Sequence, residues 1–121
     1  MKKVEKPNSI AKIISNSMLD KKAYDITIID VSKLTSLTDI FIICTSDSTP
    51  QSKAITNHIK DELIKYDLKP WHIEGYENMK WILIDYINVV IHIFDKESRE
   101  YYNFEQLWSD GKVKKIDNPD K

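Results

Sequence analysis

The sequence predicts a single α/β domain in which helices flank a mixed sheet of five strands. Its 121 residues are the length of one domain, and 41% of them are apolar, which is enough for one sizeable core. Amphipathic segments with a helical repeat alternate with short apolar segments of strand length. Their order along the chain is α-β-β-α-β-β-β-α, which is typical of one sheet with helices packed against it.

The first predicted helix covers residues 8–19, where apolar side chains recur at helical spacing. Asn8 or Ser9 is expected to cap it, because a short polar side chain can accept a hydrogen bond from a free N–H group of the first turn. Two strands follow at residues 25–31 and 40–45. Their nearly continuous apolar character indicates strands that are covered on both faces.

The central helix is predicted to start at Ser48-Thr49-Pro50, because proline already has the shape of the first helical turn. It should end at residues 68–70. Three strands come next, at residues 71–74, 81–86 and 89–94, and these three are expected to form a meander. The connection through the central helix resembles a crossover between parallel strands.

The last predicted helix covers residues 97–108 and should turn four side chains inward, namely Tyr101, Phe104, Leu107 and Trp108. The charged residues 1–7 and the polar residues 111–121, which begin with a glycine, are interpreted as flexible tails. The predicted domain therefore spans residues 8–110.

Composition argues against several classes of protein. The formal net charge is −1, whereas a protein that binds nucleic acid through charge alone would have a basic surplus. Gly75 and Gly111 are too few for a phosphate-binding loop. Cys44 is the only cysteine, so an intramolecular disulfide and a zinc site of several cysteines are both excluded.

The sequence predicts a cytoplasmic protein without a membrane anchor. Its longest apolar runs are much shorter than a membrane-spanning helix. Lysines follow Met1, but no apolar stretch of signal-peptide length comes after them.

Neither a catalytic nucleophile nor a metal or cofactor site is predicted. Cys44 lies within a run of aliphatic residues, where cysteine usually acts as a small buried hydrophobe. His58, His72 and His92 have no second histidine or cysteine at ligand spacing on the same element. His92 alternates with apolar residues of the fifth strand, so we interpret it as a hydrogen-bonded structural histidine.

Four aspartates lie at predicted strand ends, where α/β enzymes often hold metal-binding carboxylates: Asp30, Asp39, Asp85 and Asp95. A nucleotide-handling enzyme is therefore the alternative function. It is disfavoured because the sequence has neither an Asp-x-Asp motif nor a glycine-rich turn. Hydrogen bonding to free backbone N–H groups of turns and helix ends explains these aspartates more simply.

Trp81 is the strongest indication of a binding surface. It follows the polar loop 75–80, and alternation places it with Leu83 and Asp85 on one face of its strand. A large aromatic side chain among acidic residues is common in protein interfaces, although core packing is equally compatible with Trp81. Stacking on single-stranded RNA would require interleaved basic residues, and Arg99 is the only arginine. A basic protein partner is therefore favoured over RNA.

Four segments match, in order and with the right spacing, the motifs of a known family. They are Thr38-Asp39-Ile40-Phe41-Ile42-Ile43-Cys44-Thr45, Trp81-Ile82-Leu83-Ile84-Asp85-Tyr86, Val89-Val90-Ile91-His92-Ile93-Phe94, and the closing segment from Ser98-Arg99-Glu100-Tyr101-Tyr102 to Phe104-Glu105-Gln106-Leu107-Trp108. Over about residues 9–110, the chain resembles the Iojap/RsfS family of ribosomal silencing factors.

The resemblance implies a nucleotidyltransferase-like fold without catalytic residues, and a protein that is not an enzyme. Members of the family bind the L-fourteen protein of the large ribosomal subunit. They thereby block association with the small subunit and repress translation when nutrients are limiting. The same function is expected here, without a cofactor and with little direct binding to nucleic acid. Some relatives are dimeric, and exposed apolar residues such as Ile87 would permit a homodimer.

The chain departs from the family pattern at three places, which involve five residues. Ile87-Asn88 stands where a Gly-Asp turn is usual, Ser46 replaces a glycine, and Pro50-Gln51 replaces an Arg-His pair. A changed turn geometry is expected at Ile87, because isoleucine tolerates a positive φ badly.

The predicted docking face combines the 74–80 loop, the fourth strand and the adjoining last helix. Trp81 is the expected anchor, because one rigid indole desolvates a large area. Acidic residues around it would steer the chain toward a basic partner. The predicted contact residues are Trp81, Asp85, Tyr86, Glu74 and Glu77, followed by Arg99 and Tyr102.

Overall fold

The computed structural model describes residues 6–117, and four helices and six strands lie in that part of the chain. Their order is α1 (Pro7–Asp20), β1 (Tyr24–Asp30), β2 (Ile40–Ser46), α2 (Thr49–Ile64), β3 (His72–Glu74), β4 (Trp81–Asp85), β5 (Val89–Asp95), α3 (Lys96–Tyr102), α4 (Phe104–Leu107) and β6 (Lys112–Lys115). No helix within residues 6–117 combines the length and the apolar character needed to cross a membrane.

All six strands join one mixed sheet in the order β3-β4-β5-β2-β1-β6. Among the hydrogen-bonded pairs of described strands, only the central pair, β2 and β5, is parallel, and the other four pairs are antiparallel. The predicted meander of the third, fourth and fifth strands is confirmed. The predicted connection through α2 joins two parallel strands, and β5 and β4 lie between them. The mixed α/β fold is thus confirmed, with six strands instead of five.

The sixth strand corrects the prediction that residues 111–121 are a flexible tail. Residues 112–115 pair antiparallel with β1, from Lys112 opposite Asp30 to Lys115 opposite Thr27. All four positions of β6 are exposed, so its sequence lacks the apolar alternation that marks a half-buried strand. Backbone pairing with β1 holds it there. Residues 1–5 and 118–121 of the two predicted tails lie outside the described residues.

The first helix begins one residue earlier than predicted. Pro7 occupies its first turn, and Lys6 is the capping residue, without a side-chain hydrogen bond. The predicted cap by Asn8 or Ser9 is therefore wrong. Proline explains the difference, because its fixed φ suits the first helical position, where no backbone N–H is needed.

The second helix begins as predicted. Ser48 is its cap, and its side-chain oxygen accepts a hydrogen bond from the backbone N–H of Gln51 at 3.2 Å. The Gln51 side-chain amide also donates to the carbonyl oxygens of Lys21 and Lys22, at 3.0 and 2.9 Å. Gln51 thus ties the start of α2 to the end of α1.

The two faces of the sheet have different covers. Helices α1 and α2 cover a face that carries a row of isoleucines across four strands. In this row Ile42 stands opposite the partly buried Ile28 and the buried Ile91, and Ile91 stands opposite Ile84. On the other face, a second cluster forms around Phe41, Ile43 and Phe94. Side chains that point toward α1 and α2 are therefore covered, and only side chains on the other face of the sheet can contact a binding partner.

The last predicted helix is broken at Asn103, whose left-handed φ of 46° separates α3 from α4. Phe104 and Trp108 pack inward as predicted, each with its ring centroid 5.0 Å from that of Phe41. Tyr101 and Leu107 are 80% and 76% exposed, so the prediction that they point inward is wrong. The break rotates the segment that carries Leu107, which one continuous helical repeat could not anticipate, whereas Tyr101 lies before the break.

The turn between β4 and β5 places Ile87 in a backbone conformation that isoleucine tolerates badly. Ile87 adopts a φ of 73°, and the backbone N–H of Asn88 donates to the carbonyl oxygen of Tyr86 at 2.9 Å. This hydrogen bond around a residue of positive φ has the form of a classic γ-turn, which is rare and strained. A β-branched residue is especially unfavourable in that region.

Ile87→Gly should therefore stabilise the protein by about 1 kcal/mol, because glycine reaches positive φ without strain. Thermal unfolding measures the difference. Asn88→Gly is the matched control, since Asn88 is not among the described residues of positive φ. It should leave stability unchanged or lower it. Equal effects of the two substitutions would contradict the assignment of strain to Ile87.

Candidate docking face

One face of strand β4 is partly exposed to solvent. Trp81, Leu83 and Asp85 are half-buried there, whereas Ile82 and Ile84 are fully buried against the opposite side. The alternation predicted from the sequence is therefore confirmed. The register extends this side across its neighbours, because side chains opposite each other in a sheet share a face.

We define the β4 face as the side chains that share this side of β4 and its two neighbours. Glu74 stands opposite Leu83, and His72 stands opposite Asp85. From the other flank, β5 contributes Val90, His92 and Phe94. The β4 face thus comprises His72, Glu74, Trp81, Leu83, Asp85, Val90, His92 and Phe94. Among these, His92 and Phe94 are fully buried, and Trp81 covers them at the rim.

Trp81 lies within a cluster of aromatic rings. Its indole stacks on Phe94, with ring centroids 4.8 Å apart and an interplanar angle of 29°. Tyr102 of α3 contacts it at 4.9 Å, and Phe104 of α4 lies at 6.0 Å. Such packing stabilises aromatic pairs beyond the burial of their area. Trp81 therefore packs against the core, as one of its two interpretations required, and it is also partly exposed.

His92 holds the inner end of the cluster. Its Nδ1 accepts a hydrogen bond from Nε1–H of Trp81 at 3.0 Å, and its ring centroid is 4.2 Å from that of Phe104. The side chain is 1% exposed, and burial lowers the pKa of His92 to about 3. His92 is therefore a neutral, hydrogen-bonded histidine at physiological pH, as the sequence predicted.

This depressed pKa predicts how stability depends on pH. The unfolded chain takes up a proton at His92 below about pH 6.5, whereas the folded chain does not, so stability falls as pH decreases from about 6.5 toward 3. The loss should reach about 1.4 kcal/mol at pH 5.5 relative to pH 8. Denaturant unfolding at several pH values measures it. His92→Asn should lack this contribution, and an identical pH profile for the variant would contradict the assignment.

Gly75 lets the 74–80 loop approach the strand that carries Trp81. Its φ is 80°, and an added Cβ would lie only 1.9 Å from the carbonyl oxygen of Trp81. No other residue fits there without moving the backbone of β4. The loop is therefore fixed close to the backbone of Trp81, and Glu77 of this loop is exposed to solvent.

The side chain of Arg99 forms hydrogen bonds within the protein. Its guanidinium donates to both carboxylate oxygens of Glu105, at 2.9 and 3.1 Å, and to the hydroxyls of Thr45 and Thr27, at 2.9 and 3.1 Å. It also donates to the carbonyl oxygen of Asp25. These hydrogen bonds join α3 and α4 to β1 and β2. Through these hydrogen bonds, Arg99 therefore fixes the position of α3 beside Trp81.

The remaining predicted contact residues lie in different places. Tyr102 is half exposed beside Trp81, and Glu74 is exposed with its carboxylate 2.8 Å from Nε2 of His72. Tyr86 packs against the α1–α2 core, and its hydroxyl is buried without a hydrogen-bond partner among the described residues. The structure thus brings together Trp81, Asp85, Glu74 and Tyr102, and it turns Tyr86 away from them.

Sequence reasoning missed two exposed apolar side chains on α3 and α4. Tyr101 contacts Tyr102, with ring centroids 5.1 Å apart, and Leu107 lies on the outer side of α4. Asn103 was the available signal, because asparagine adopts the left-handed conformation more readily than most residues and often ends a helix.

The four strand-end aspartates do not gather into one site. Asp30 accepts from Ser32, Asp85 from the backbone N–H of Ile87, and Asp95 from that of Ser98. Within residues 6–117, no group of three or more His, Cys, Asp or Glu side chains could hold a metal ion. For these three aspartates the predicted turn and cap role is confirmed.

A cleft of about 780 Å³ lies away from Trp81, between α3 and the β1–β6 edge. Arg99, Lys96 and Lys115 line it together with acidic side chains, including Glu100 and Asp117. Because Arg99 already donates within the protein, this cleft lacks a free guanidinium for an anionic ligand. Cys44 is fully buried, and burial raises the pKa of its thiol to about 12, which disfavours a nucleophilic thiolate.

Comparison with known proteins places this geometry in a family. The family model described as "ribosomal silencing factor during starvation" (RsfS) matches residues 4–121. The ribosomal silencing factor RsfS of Bacillus subtilis is 37% identical over 109 residues, which are 90% of this chain and 92% of the relative. The chloroplastic protein Iojap of Arabidopsis thaliana is 33% identical over 117 residues, which cover 91% of this chain and 43% of that protein.

Solved structures agree in fold. A crystal structure of a Chromobacterium violaceum protein has a TM-score of 0.84 and 35% identity, covering 87% of this chain and 88% of the other. A Bacillus halodurans structure has a TM-score of 0.77 and 31% identity, covering 91% and 98%. With the family model matching nearly the whole sequence, the chain belongs to the ribosomal silencing factor family, RsfS, whose plant relatives are the Iojap proteins.

Proposed function

We propose that the chain silences ribosomes by binding alone. In this proposal the β4 face docks on the L-fourteen protein of the large ribosomal subunit, and the bound chain keeps the small subunit from joining. Translation is thereby repressed when nutrients are limiting, in the cytoplasm where the ribosomes are. The observation that carries the proposal is Trp81, a half-buried indole held among other rings at the rim of an open sheet face.

The charges around Trp81 suit a basic protein surface. Glu74 and Glu77 are exposed, and Asp85 is half-buried on the same strand as Trp81. Exposed acidic side chains around an aromatic anchor favour encounter with a positively charged partner, whereas the anchor supplies most of the binding energy. Bare RNA is a poor fit, because these carboxylates would repel its phosphates.

A chain that blocks subunit joining sterically needs only to be bound to the large subunit, and it needs no catalytic group. The residues that most resemble a nucleophilic pair are unsuited to one, because Cys44 and His92 are both buried and lie on neighbouring strands with their side chains on opposite faces of the sheet. Cys44 packs in the core under α1 and α2, and His92 faces the aromatic cluster. Binding without catalysis is therefore the better account of these side chains.

Sedimentation tests the proposal directly. The purified chain is mixed separately with isolated large and small subunits and spun through a sucrose cushion. We expect it to pellet with the large subunit, and light scattering should show fewer joined ribosomes when it is added before the small subunit. Co-migration with the small subunit alone would refute the proposal. So would turnover of a nucleoside triphosphate with magnesium, which would favour the enzymatic alternative.

A further inference from the structure

We infer that His92 is a positioning residue for docking, because its hydrogen bond fixes the orientation in which Trp81 presents its indole at the β4 face. The inference rests on the proposed function, since it assumes that Trp81 meets the partner. It concerns a residue that is itself buried and cannot touch that partner.

The geometry sets His92 diagonally behind Trp81. Trp81 pairs with Phe94, and Leu83 pairs with His92, so His92 belongs to the next pair along the same face. Diagonal neighbours are far enough apart that only long side chains meet. The indole N–H therefore has to point along the sheet to reach Nδ1 of His92, at 3.0 Å.

The acceptor is held rigidly. Phe41 and Phe104 contact the imidazole at centroid distances of 5.3 and 4.2 Å, and Phe94 stacks beyond it at 6.2 Å. A ring enclosed in this way has little rotamer freedom. Its Nδ1 is consequently a fixed point against which the indole is oriented.

The same imidazole has an unfavourable feature. Because Nδ1 accepts, the neutral ring carries its proton on Nε2, and Nε2 is buried without a partner among the described residues. An unpaired buried donor destabilises a fold, and an apolar side chain would avoid the loss. Because Trp81 is only half-buried, a differently oriented indole could donate to water instead at little loss. The hydrogen bond to His92 therefore contributes orientation more than stability.

Orientation matters for a docking anchor because an indole ordered beforehand loses less entropy on binding. Phe94 stacks on the indole ring and Tyr102 contacts it at a tilted angle, but neither ring offers an acceptor placed to fix the direction of the indole N–H. The hydrogen bond supplies that constraint. His92 therefore determines which edge of Trp81 meets the partner.

Three substitutions at position 92 separate positioning from packing. His92→Asn keeps a polar atom where Nδ1 stands, His92→Gln moves it to the position of Nε2, and His92→Leu removes it. Binding to isolated large subunits should weaken about fivefold for His92→Leu and His92→Gln, the factor that corresponds to one ordinary hydrogen bond, and His92→Asn should restore most of it. In a Trp81→Phe background, the three substitutions should have no further effect on binding. Equal losses in both backgrounds would show a merely structural role and overturn the inference.

A second measurement does not depend on the ribosome. In ¹⁵N-labelled protein, Trp81→Phe identifies the indole N–H signal of Trp81, and the 72% exposed Trp71 serves as the reference for an unprotected indole. We expect the Trp81 N–H to exchange with solvent about fivefold faster in His92→Leu than in the unaltered chain. Equal exchange would overturn the positioning role even if docking occurs. Slowed exchange in an unaltered chain that does not bind large subunits would refute the proposed function and leave the orientation of Trp81 by His92 established.

Discussion

Trp81→Ala should weaken binding to the large ribosomal subunit by about thirtyfold or more, which corresponds to about 2 kcal/mol. Truncation removes the largest half-exposed side chain of the β4 face and opens the cluster formed with Phe94 and Tyr102. Binding curves with isolated subunits measure the loss. Circular dichroism has to show that the variant remains folded, because Trp81 also packs against the second core cluster.

Trp71→Ala is the matched control for this experiment. It makes the same chemical change at a tryptophan that is 72% exposed and whose ring contacts His72 instead of the Trp81 cluster. Trp71→Ala should bind almost normally, and Glu77→Ala should lose little affinity, chiefly at low salt. A folded Trp81→Ala variant that binds with full affinity would move the docking site, with Tyr102 as the next candidate.

The parts of the fold that follow from a periodic pattern of apolar residues were predictable. The parts that depend on the backbone conformation of a single residue were not. Strict alternation gave both faces of β4 correctly. The break at Asn103 reverses the exposure of Leu107, and a helical repeat contains no information about such a break. β6 was missed for a related reason, since its stability comes from backbone pairing with β1 and its side chains are all exposed.

The candidate site divides in the same way. Trp81 and Asp85 could be placed on one face from their spacing, but the contact of Trp81 with His92 depends on the register between β4 and β5. Arg99 lies in a family motif and was a predicted contact residue, yet its guanidinium donates within the protein to Glu105, to two threonines and to the carbonyl oxygen of Asp25. Motif residues indicate importance, and only three-dimensional contacts distinguish a binding role from a supporting one.

The largest losses of stability should come from the isoleucine row beneath α1 and α2. Ile42 and Ile84 are both fully buried, on strands separated by β5, so either substitution by alanine should cost about 2–5 kcal/mol. Ile42→Ala should lie in the upper half of that range, because the long strands β1 and β5 flank it and resist collapse. Ile84→Ala should cost less, because its outer neighbour β3 has three residues. Denaturant unfolding measures both values.

Substituting Ile42 and Ile84 together tests the register of β2, β5 and β4 more sharply, because Ile91 lies between them. It stands opposite Ile42 on one side and Ile84 on the other, so it can relax into one cavity but not into both. The double variant should therefore lose at least about 0.5 kcal/mol more than the sum of the single losses. Ile64→Ala, at a position that is 44% exposed, is the control and should change stability by about 0.5 kcal/mol or less. Because Ile84 faces away from the β4 face, Ile84→Ala should still bind large subunits below its melting temperature. Near-normal melting of both single variants would contradict the register, and strict additivity would show that Ile91 does not bridge the two sites.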